Sequence, residues 1–262
     1  MTIRPPAVAG SFYPDRPDRL RAAVEGFLTK ADPWRPERAP KAVITPHAGY
    51  VYSGPVAGHA FAALRGAAAK IRRVVVIGPA HFVPIRGLAL PTVAAFRTPL
   101  GDVPLDTGAI EAVLDLPQVQ IADAPHQGEH ALEVELPFLQ AVLCDFALVP
   151  LVVGDATPEE VAQALDRLWD GPETFLVISS DLSHYEPYGS AREHDAATAA
   201  SIEALDEAAL GPRDACGHLP IAGLLIEARQ RGLGIHRLDL RSSGDTAGPK
   251  DAVVGYGAWA LC

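Results

Sequence analysis

Three apolar runs limit what this chain can fold into. They are AVIT in AVITPHAGY (42–50), VVVIG in VVVIGPAHF (74–82) and FLVIS in FLVISSDLSHY (175–185). A strand with one face in water alternates apolar and polar side chains. Consecutive apolar residues belong instead to strands covered on both faces, the usual state of a parallel sheet flanked by helices. Segments with helical apolar spacing lie between these runs, so strand and helix alternate and the expected class is α/β. The expected architecture is a single domain, 1–262, with a central mostly parallel or mixed sheet covered by helices.

The element order follows from the same patterns. A helix is expected at about 17–29, then a proline-rich polar loop, ADPWRPERAPK (31–41), before strand 41–46. Helix 54–66 and strand 72–78 come next, followed by short extended pieces over 86–106 that end in a hairpin at TPLGDVPLD. Helices are expected at 107–115 and 130–143, with Leu132, Leu136, Leu139 and Val142 on one face of the second. Strand 146–153 leads to helix 157–168, opened by Thr157 with Pro158 in the first turn. Strand 174–180, helices near 191–208 and 218–231, and extended segments 234–241 and 252–261 complete the chain.

Bulk properties exclude several classes. A net charge of −10 repels phosphate backbones, so nucleic acid is not an expected partner. No apolar run reaches the roughly 18–20 residues of a membrane span, and the N-terminus lacks the apolar core of a signal peptide. The three cysteines, Cys144, Cys216 and Cys262, are odd in number and widely spaced, which suits a reducing cytoplasm rather than a disulfide framework. Neither a Gly-rich phosphate loop nor a G-x-S-x-G elbow is present.

What the apolar runs share is a histidine just past the strand. His47 follows the first, His81 the second, and Asp181 with His184 the third. Parallel strands end on one side of a sheet, and ligands bind in the crevice there. These residues are therefore expected to share one rim. Imidazoles with a carboxylate are a metal-site vocabulary: two His and one carboxylate suit non-haem Fe(II), while three nitrogen or oxygen ligands plus water suit Zn²⁺ equally well. The remaining histidines carry less. His59 reads as a core or surface residue, His130 opens a helix beside Glu129, and His126, His194 and His236 read as surface positions. His218 reads as structural. Cys216, in DACGHLP, reads as a buried, unreactive thiol, and Asp245, in RSSGDTAG (241–248), as a turn residue.

The motifs together resemble the Memo family, whose bacterial and archaeal members are called AmmeMemoRadiSam system protein B. The resemblance runs over nearly the whole chain: PAVAGSFYP (6–14), PHAGYVYSG (46–54), GPAH (78–81), TPLGDVPLD (98–106), EHALEVELPFL (129–139), SSDLSHY (179–185), ACGHLPI (215–221) and SSGDTAG (242–248). It implies a fold like that of the class III extradiol ring-cleaving dioxygenases, and a metal site on His47 and His81. It places the acid–base histidine on His184 with Asp181 beside it. The third ligand is expected from the late loop, where some family members have Cys and this chain has Asp245. Tyr50, His130, Glu133 and Cys216 are expected to contact substrate or to position the ligands, with Asp181 or Glu133 orienting an imidazole. The implied cofactor is Fe(II), with Cu or Zn as alternatives. The implied activity is that of a dioxygenase-like oxidoreductase on a small chelating or aromatic substrate. The alternatives are a non-catalytic, metal-bearing protein that binds a peptide or partner, and a Zn-dependent hydrolase. The system name further implies radical-SAM and AMMECR-type proteins as partners.

Overall fold

A computed structural model describes all residues except 1, 33, 35 and 37. Three positions of the loop expected over 31–41 thus lie outside the described residues. The strands are β1 (Ile3–Arg4), β2 (Ala42–Thr45), β3 (Arg73–Pro79), β4 (Leu88–Leu90), β5 (Ala95–Thr98), β6 (Gly101–Pro104), β7 (Val119–Ile121), β8 (Ala147–Val153), β9 (Thr174–Ser179), β10 (His184–Glu186), β11 (Ile235–Ser242) and β12 (Val253–Leu261). The α-helices are α1 (Pro17–Lys30), α2 (Tyr50–Ala62), α3 (Thr107–Glu111), α4 (Ala124–Gln127), α5 (Leu136–Val142), α6 (Pro158–Leu168), α7 (Tyr188–Glu203), α8 (His218–Arg231) and α9 (Ser243–Thr246).

The main sheet runs β10-β12-β2-β9-β3-β8-β4-β7, with β11 also paired to β12. Its centre, β2-β9-β3-β8, is wholly parallel. The sheet turns antiparallel at β12 on one side and β4 on the other, so it is mixed. The apolar runs occupy the centre. All six residues of β9 and all four of β2 are buried, their apolar stretches FLVI and AVI together with the hydroxyl residues Thr45, Thr174 and Ser179 at their ends. The last strand, AVVGYGAWAL, is central, because it pairs with β2, β10 and β11. β1, β5 and β6 form a separate small sheet in which β5 and β6 make the expected hairpin.

Local chemistry sets the boundaries. α6 opens with a full capping box, Thr157 with Glu160, which contributes about 1 kcal/mol. It buries Val161, Ala164, Leu165 and Leu168. α2 starts at Tyr50, earlier than the expected 54. The Tyr50 ring is buried and its hydroxyl donates to the Val134 carbonyl at 2.7 Å, which anchors the first turn. Pro55 inside α2 removes only the bond to the carbonyl of exposed Val51, which water can satisfy. The helix expected over 130–143 is instead a 3₁₀ turn, Glu133–Glu135, followed by α5. Pro137 donates no backbone bond, and Glu129 draws the amides of His130 and Ala131 to its own carboxylate. No helix among the described residues is long and apolar enough to cross a membrane.

Candidate metal centre

β2 and β3 lie on either side of β9, and His47 and His81 leave their C-terminal ends. The two imidazole centroids are 5.2 Å apart. His47 is buried. Its Nδ1 lies 2.7 Å from Ser179 Oγ at the end of β9, and its backbone amide donates to Asp181 Oδ1 at 2.9 Å. Burial first, then the charges of His81, His130 and His184, hold its pKa well below the ordinary histidine value, so the ring is neutral. Its Nε2 faces Cys216 Sγ at 3.3 Å.

His81 is exposed at the rim and is fixed by a carboxylate. Its Nδ1 lies 2.9 Å from Glu129 Oε1, and its amide donates to Glu129 Oε2 at 2.7 Å. Glu129 also accepts from the amides of His130 and Ala131, both at 2.9 Å. Burial pushes the Glu129 carboxyl up. The His81 bond, the His81 charge and the backbone amides outweigh that and keep it below the ordinary carboxylate range. His130 stacks on His81 with centroids 4.8 Å apart.

Two glycines make these approaches possible. A Cβ on Gly78 would sit 3.2 Å from Ala131 Cβ and 3.3 Å from Ser179 Cβ, so the bare strand lets the 129–135 segment close over β3. A Cβ on Gly217 would sit 2.7 Å from Ser180 Cβ and 2.8 Å from the Ser179 carbonyl oxygen. Glycine there lets the loop before α8 press on the end of β9, which delivers Cys216. The Cys216 amide donates to the Asp181 carbonyl at 3.2 Å, and the Asp181 amide donates to Cys216 Sγ at 3.3 Å. Burial, then the Asp181 charge, pushes the thiol up to about 12.

One ligand atom each from His47, His81 and Cys216 falls within 4.8 Å of the other two. Both histidines have Nδ1 engaged, which leaves Nε2 as the donor atom. Tetrahedral bonds of about 2.0 Å to nitrogen and 2.3 Å to sulfur would put the two donors about 3.5 Å apart. The His47–Cys216 separation of 3.3 Å therefore fits a shared ion. A second group, His81, Glu129 and His130, meets the same distance test. There Glu129 already accepts four N–H bonds, so its capacity is spent on holding His81.

The expected site residues separate accordingly. His184 lies outside the ligand group, on β10, and is exposed. It is near enough for its charge to act on His47. Its Nδ1 donates to the Leu182 carbonyl at 2.8 Å. Burial raises the pKa of Asp181 to about 7, and its side chain holds the His47 amide, not an imidazole. Asp245, expected as third ligand, corrects differently. It is exposed and joins neither group. Its Oδ2 closes a capping box with Ser242 at the start of α9, and its Oδ1 accepts from the Tyr188 hydroxyl at 2.5 Å. The sulfur beside His47 comes from the loop before α8: it is Cys216, which read as inert from the residues and as a substrate-contacting or positioning residue from the resemblance.

Glu133 also moves out of the centre. It accepts from Arg4, the Tyr13 hydroxyl and the amides of Ala7 and Val8, tying down the N-terminal segment. Tyr50 is a core residue packed against Tyr13, Phe27 and Phe138. His126, expected at the surface, is buried with Nε2 3.1 Å from the Ala89 carbonyl. His194 is half-buried between Glu186 and Asp214, whereas His236 is exposed. Sequence reasoning missed Glu129, Glu135 and Ser179. Their signal was the density of glutamates in EHALEVE and the serine pair that ends β9.

Comparison with known proteins agrees with the motifs. A family model described as Memo-like protein matches residues 4–260. A MEMO1 family protein of Sulfolobus acidocaldarius is 37% identical over 279 residues, covering 97% of each chain. One from Aeropyrum pernix is 37% identical over 281 residues, covering 98% of this chain and 99% of the relative. The crystal structure of an uncharacterized Escherichia coli K12 protein has the same fold, with a TM-score of 0.52 and 16% identity over 85% of this chain and 99% of that one. A family match spanning the chain and relatives aligned end to end lead to one conclusion: the chain belongs to the Memo family.

Proposed function

We propose that this protein is a metal-dependent oxidoreductase with one ion held by His47, His81 and Cys216, acting on a small chelating or aromatic substrate. The observation that carries this reading is the convergence of two imidazoles, each with Nδ1 already engaged, on one thiol at the C-terminal edge of a parallel sheet. Fe(II) remains the first candidate, with Cu and Zn as alternatives that sulfur favours more than a carboxylate would. When bound, iron or copper supplies redox chemistry toward O₂ and substrate, and any of the three supplies Lewis acidity. A free thiol ligand suits a reducing cytosol.

The chain's own groups would handle protons. His184 gives its Nδ1 hydrogen to Leu182, and partial desolvation by the groups packed around its otherwise exposed ring lowers its pKa, so Nε2 is a bare acceptor for a substrate hydroxyl. His130 is likewise kept neutral, by burial first, and stands against His81. A positioned base of this kind is worth roughly 10²–10⁴-fold in rate.

The test is metal content by mass spectrometry, with circular dichroism as a control. His47→Ala, His81→Ala and Cys216→Ala should each lose stoichiometric metal while keeping the fold. His184→Ala should keep its metal but lose O₂ uptake with a panel of catechols. Full metal content in Cys216→Ala would overturn the ligand set.

A second reading draws on the rim. Phe82, against His81 and His130, and Tyr185, against His184, are 62% and 77% exposed. Tyr185 also holds a left-handed backbone, φ 58°, which a bulky residue rarely adopts. Such a rim suits a peptide or a partner protein, including radical-SAM and AMMECR-type proteins of the same system. Under this reading Phe82→Ser weakens partner capture and leaves metal content unchanged.

A further inference from the structure

Glu135 is the most isolated ionisable group near the metal centre. It is completely buried at the end of the 3₁₀ turn. Its Oε1 lies 2.9 Å from Ser179 Oγ, and its Oε2 has no hydrogen-bond partner among the described residues. Ser179 is also completely buried and is the residue that holds His47.

Hydrogen counting at Ser179 Oγ has one solution. Three polar atoms surround that oxygen: the Ala131 carbonyl oxygen at 2.6 Å, His47 Nδ1 at 2.7 Å and Glu135 Oε1 at 2.9 Å. A hydroxyl has one hydrogen to give and two lone pairs to receive with. The carbonyl oxygen carries no hydrogen, so a 2.6 Å contact requires the serine hydrogen to point at it. Nothing is then left for Ser179 to donate. The two remaining contacts must be donated to it, one by His47 Nδ1–H and one by a Glu135 carboxylic acid.

We infer that Glu135 is a neutral carboxylic acid that donates to Ser179, and that through Ser179 it is a positioning residue for His47. The three bonds saturate Ser179 Oγ and hold its rotamer. That fixes the imidazole with its hydrogen on Nδ1 and a bare Nε2 facing Cys216. A carboxylate in the same place would be a buried charge with only the Thr45 hydroxyl near one oxygen and the other against a hydroxyl lone pair, which is costly. The surroundings agree. Burial pushes the Glu135 carboxyl well above the ordinary range, Asp181 adds to this, and the Ser179 and Thr45 hydroxyls do not reverse it.

The purpose of this arrangement rests on the metal reading, but the arrangement itself belongs to the metal-free protein and is tested there. Infrared difference spectra at neutral pH should show a protonated carboxylic acid that disappears in Glu135→Gln and survives in Asp181→Asn. The second substitution is needed because Asp181 titrates at about 7. Nitrogen-15 shifts of His47 should report Nδ1–H in the parent and in Glu135→Gln, whose amide NH₂ still donates. Glu135→Leu, which frees the Ser179 rotamer so that its hydroxyl can turn from the Ala131 carbonyl toward His47 Nδ1, should mix the two tautomers. In competition with a chelator, Fe(II) affinity should fall about 10–100-fold in Glu135→Leu, the usual range for a group behind a ligand, and only slightly in Glu135→Gln. An ionised Glu135 in the parent overturns the inference, whether or not Glu135→Leu folds. So do unchanged His47 shifts in a folded Glu135→Leu. A parent that binds no metal but shows both the acid band and the Nδ1–H tautomer overturns the metal reading alone.

Discussion

Glu129 and Glu135 lie in one short segment, are both buried, and each stands behind a histidine of the candidate metal centre. They differ in what surrounds them. Glu129 receives four N–H donors, three of them backbone amides, and its carboxyl is held below the ordinary range. Glu135 meets a serine hydroxyl whose hydrogen already goes elsewhere, and its carboxyl is pushed far up. Burial alone therefore does not decide protonation here; the supply of donors does. The two histidines inherit the difference. His81 is backed by an anion and His47 by a neutral chain, although both present Nε2 to the same place.

Glu133, between them, extends the comparison to a carboxylate matched by a cation. Its Oε2 is 2.6 Å from Arg4 Nη1, both groups being buried, and the N-terminal segment depends on it. Arg4→Ala should cost about 3 kcal/mol of stability, because it leaves a buried carboxylate short of its counter-charge. Urea unfolding measures the loss, and metal content should not change. Loss of metal in this variant would place Glu133 inside the centre and break the division of roles.

Glu129→Gln comes next in size. The amide keeps the shape but loses the charge, and cannot accept all four donors. Metal affinity should fall about 10–100-fold, with Glu135→Gln close to the parent. Chelator competition on the two variants reads the contrast directly. Equal effects would mean that the two glutamates are electrostatically alike.

The fold was legible because consecutive apolar residues state a strand's burial. The three runs became β2, β3 and β9, and Thr157-Pro158 marked the start of α6. The edge strand β7 carries only three residues and gave no pattern to read. At the candidate site, the approach of His47 and His81 was legible because parallel topology brings strand ends together. Cys216 was not. It sits on a loop far along the chain, and its place depends on Gly217 packing against Ser179 and Ser180, a contact that no local pattern announces. Asp245 read as a turn residue from its own Ser-Gly-Asp corner and became the expected ligand only through the resemblance, because a capping-box Asp and a ligating Asp look alike there.

The pH dependence of stability separates the glutamates without any metal. Glu135 has a folded pKa raised above its ordinary 4.5, so the folded state holds a proton that the unfolded chain has lost. Its contribution is complete below 4.5 and fades as pH rises toward the folded value, by up to about 1.4 kcal/mol per pH unit. Glu135→Gln removes that slope. Urea midpoints of parent and variant, followed upward from pH 4.5, should diverge, with the variant losing less stability. Parallel curves would mean that Glu135 is ionised in the folded protein and that the contrast with Glu129 is false.

The smallest effect is expected at Asp245, and it tests where the third donor comes from. Its carboxylate is occupied by Ser242 and Tyr188, and it caps a helix of four residues. Asp245→Ala should therefore lose about 0.5–1 kcal/mol of local stability, in the range for a lost cap. It should bind Fe(II) as the parent does, whereas Cys216→Ala should not bind it stoichiometrically. Substituting Asn separates the two roles further. Asn can still accept the Ser242 amide through its Oδ1 but is a poor anionic ligand, so Asp245→Asn should match the parent in both measurements. A tenfold loss of Fe(II) affinity in Asp245→Asn with stability intact would return the third ligand to the late loop. It would also leave Cys216 as the buried thiol its sequence first suggested.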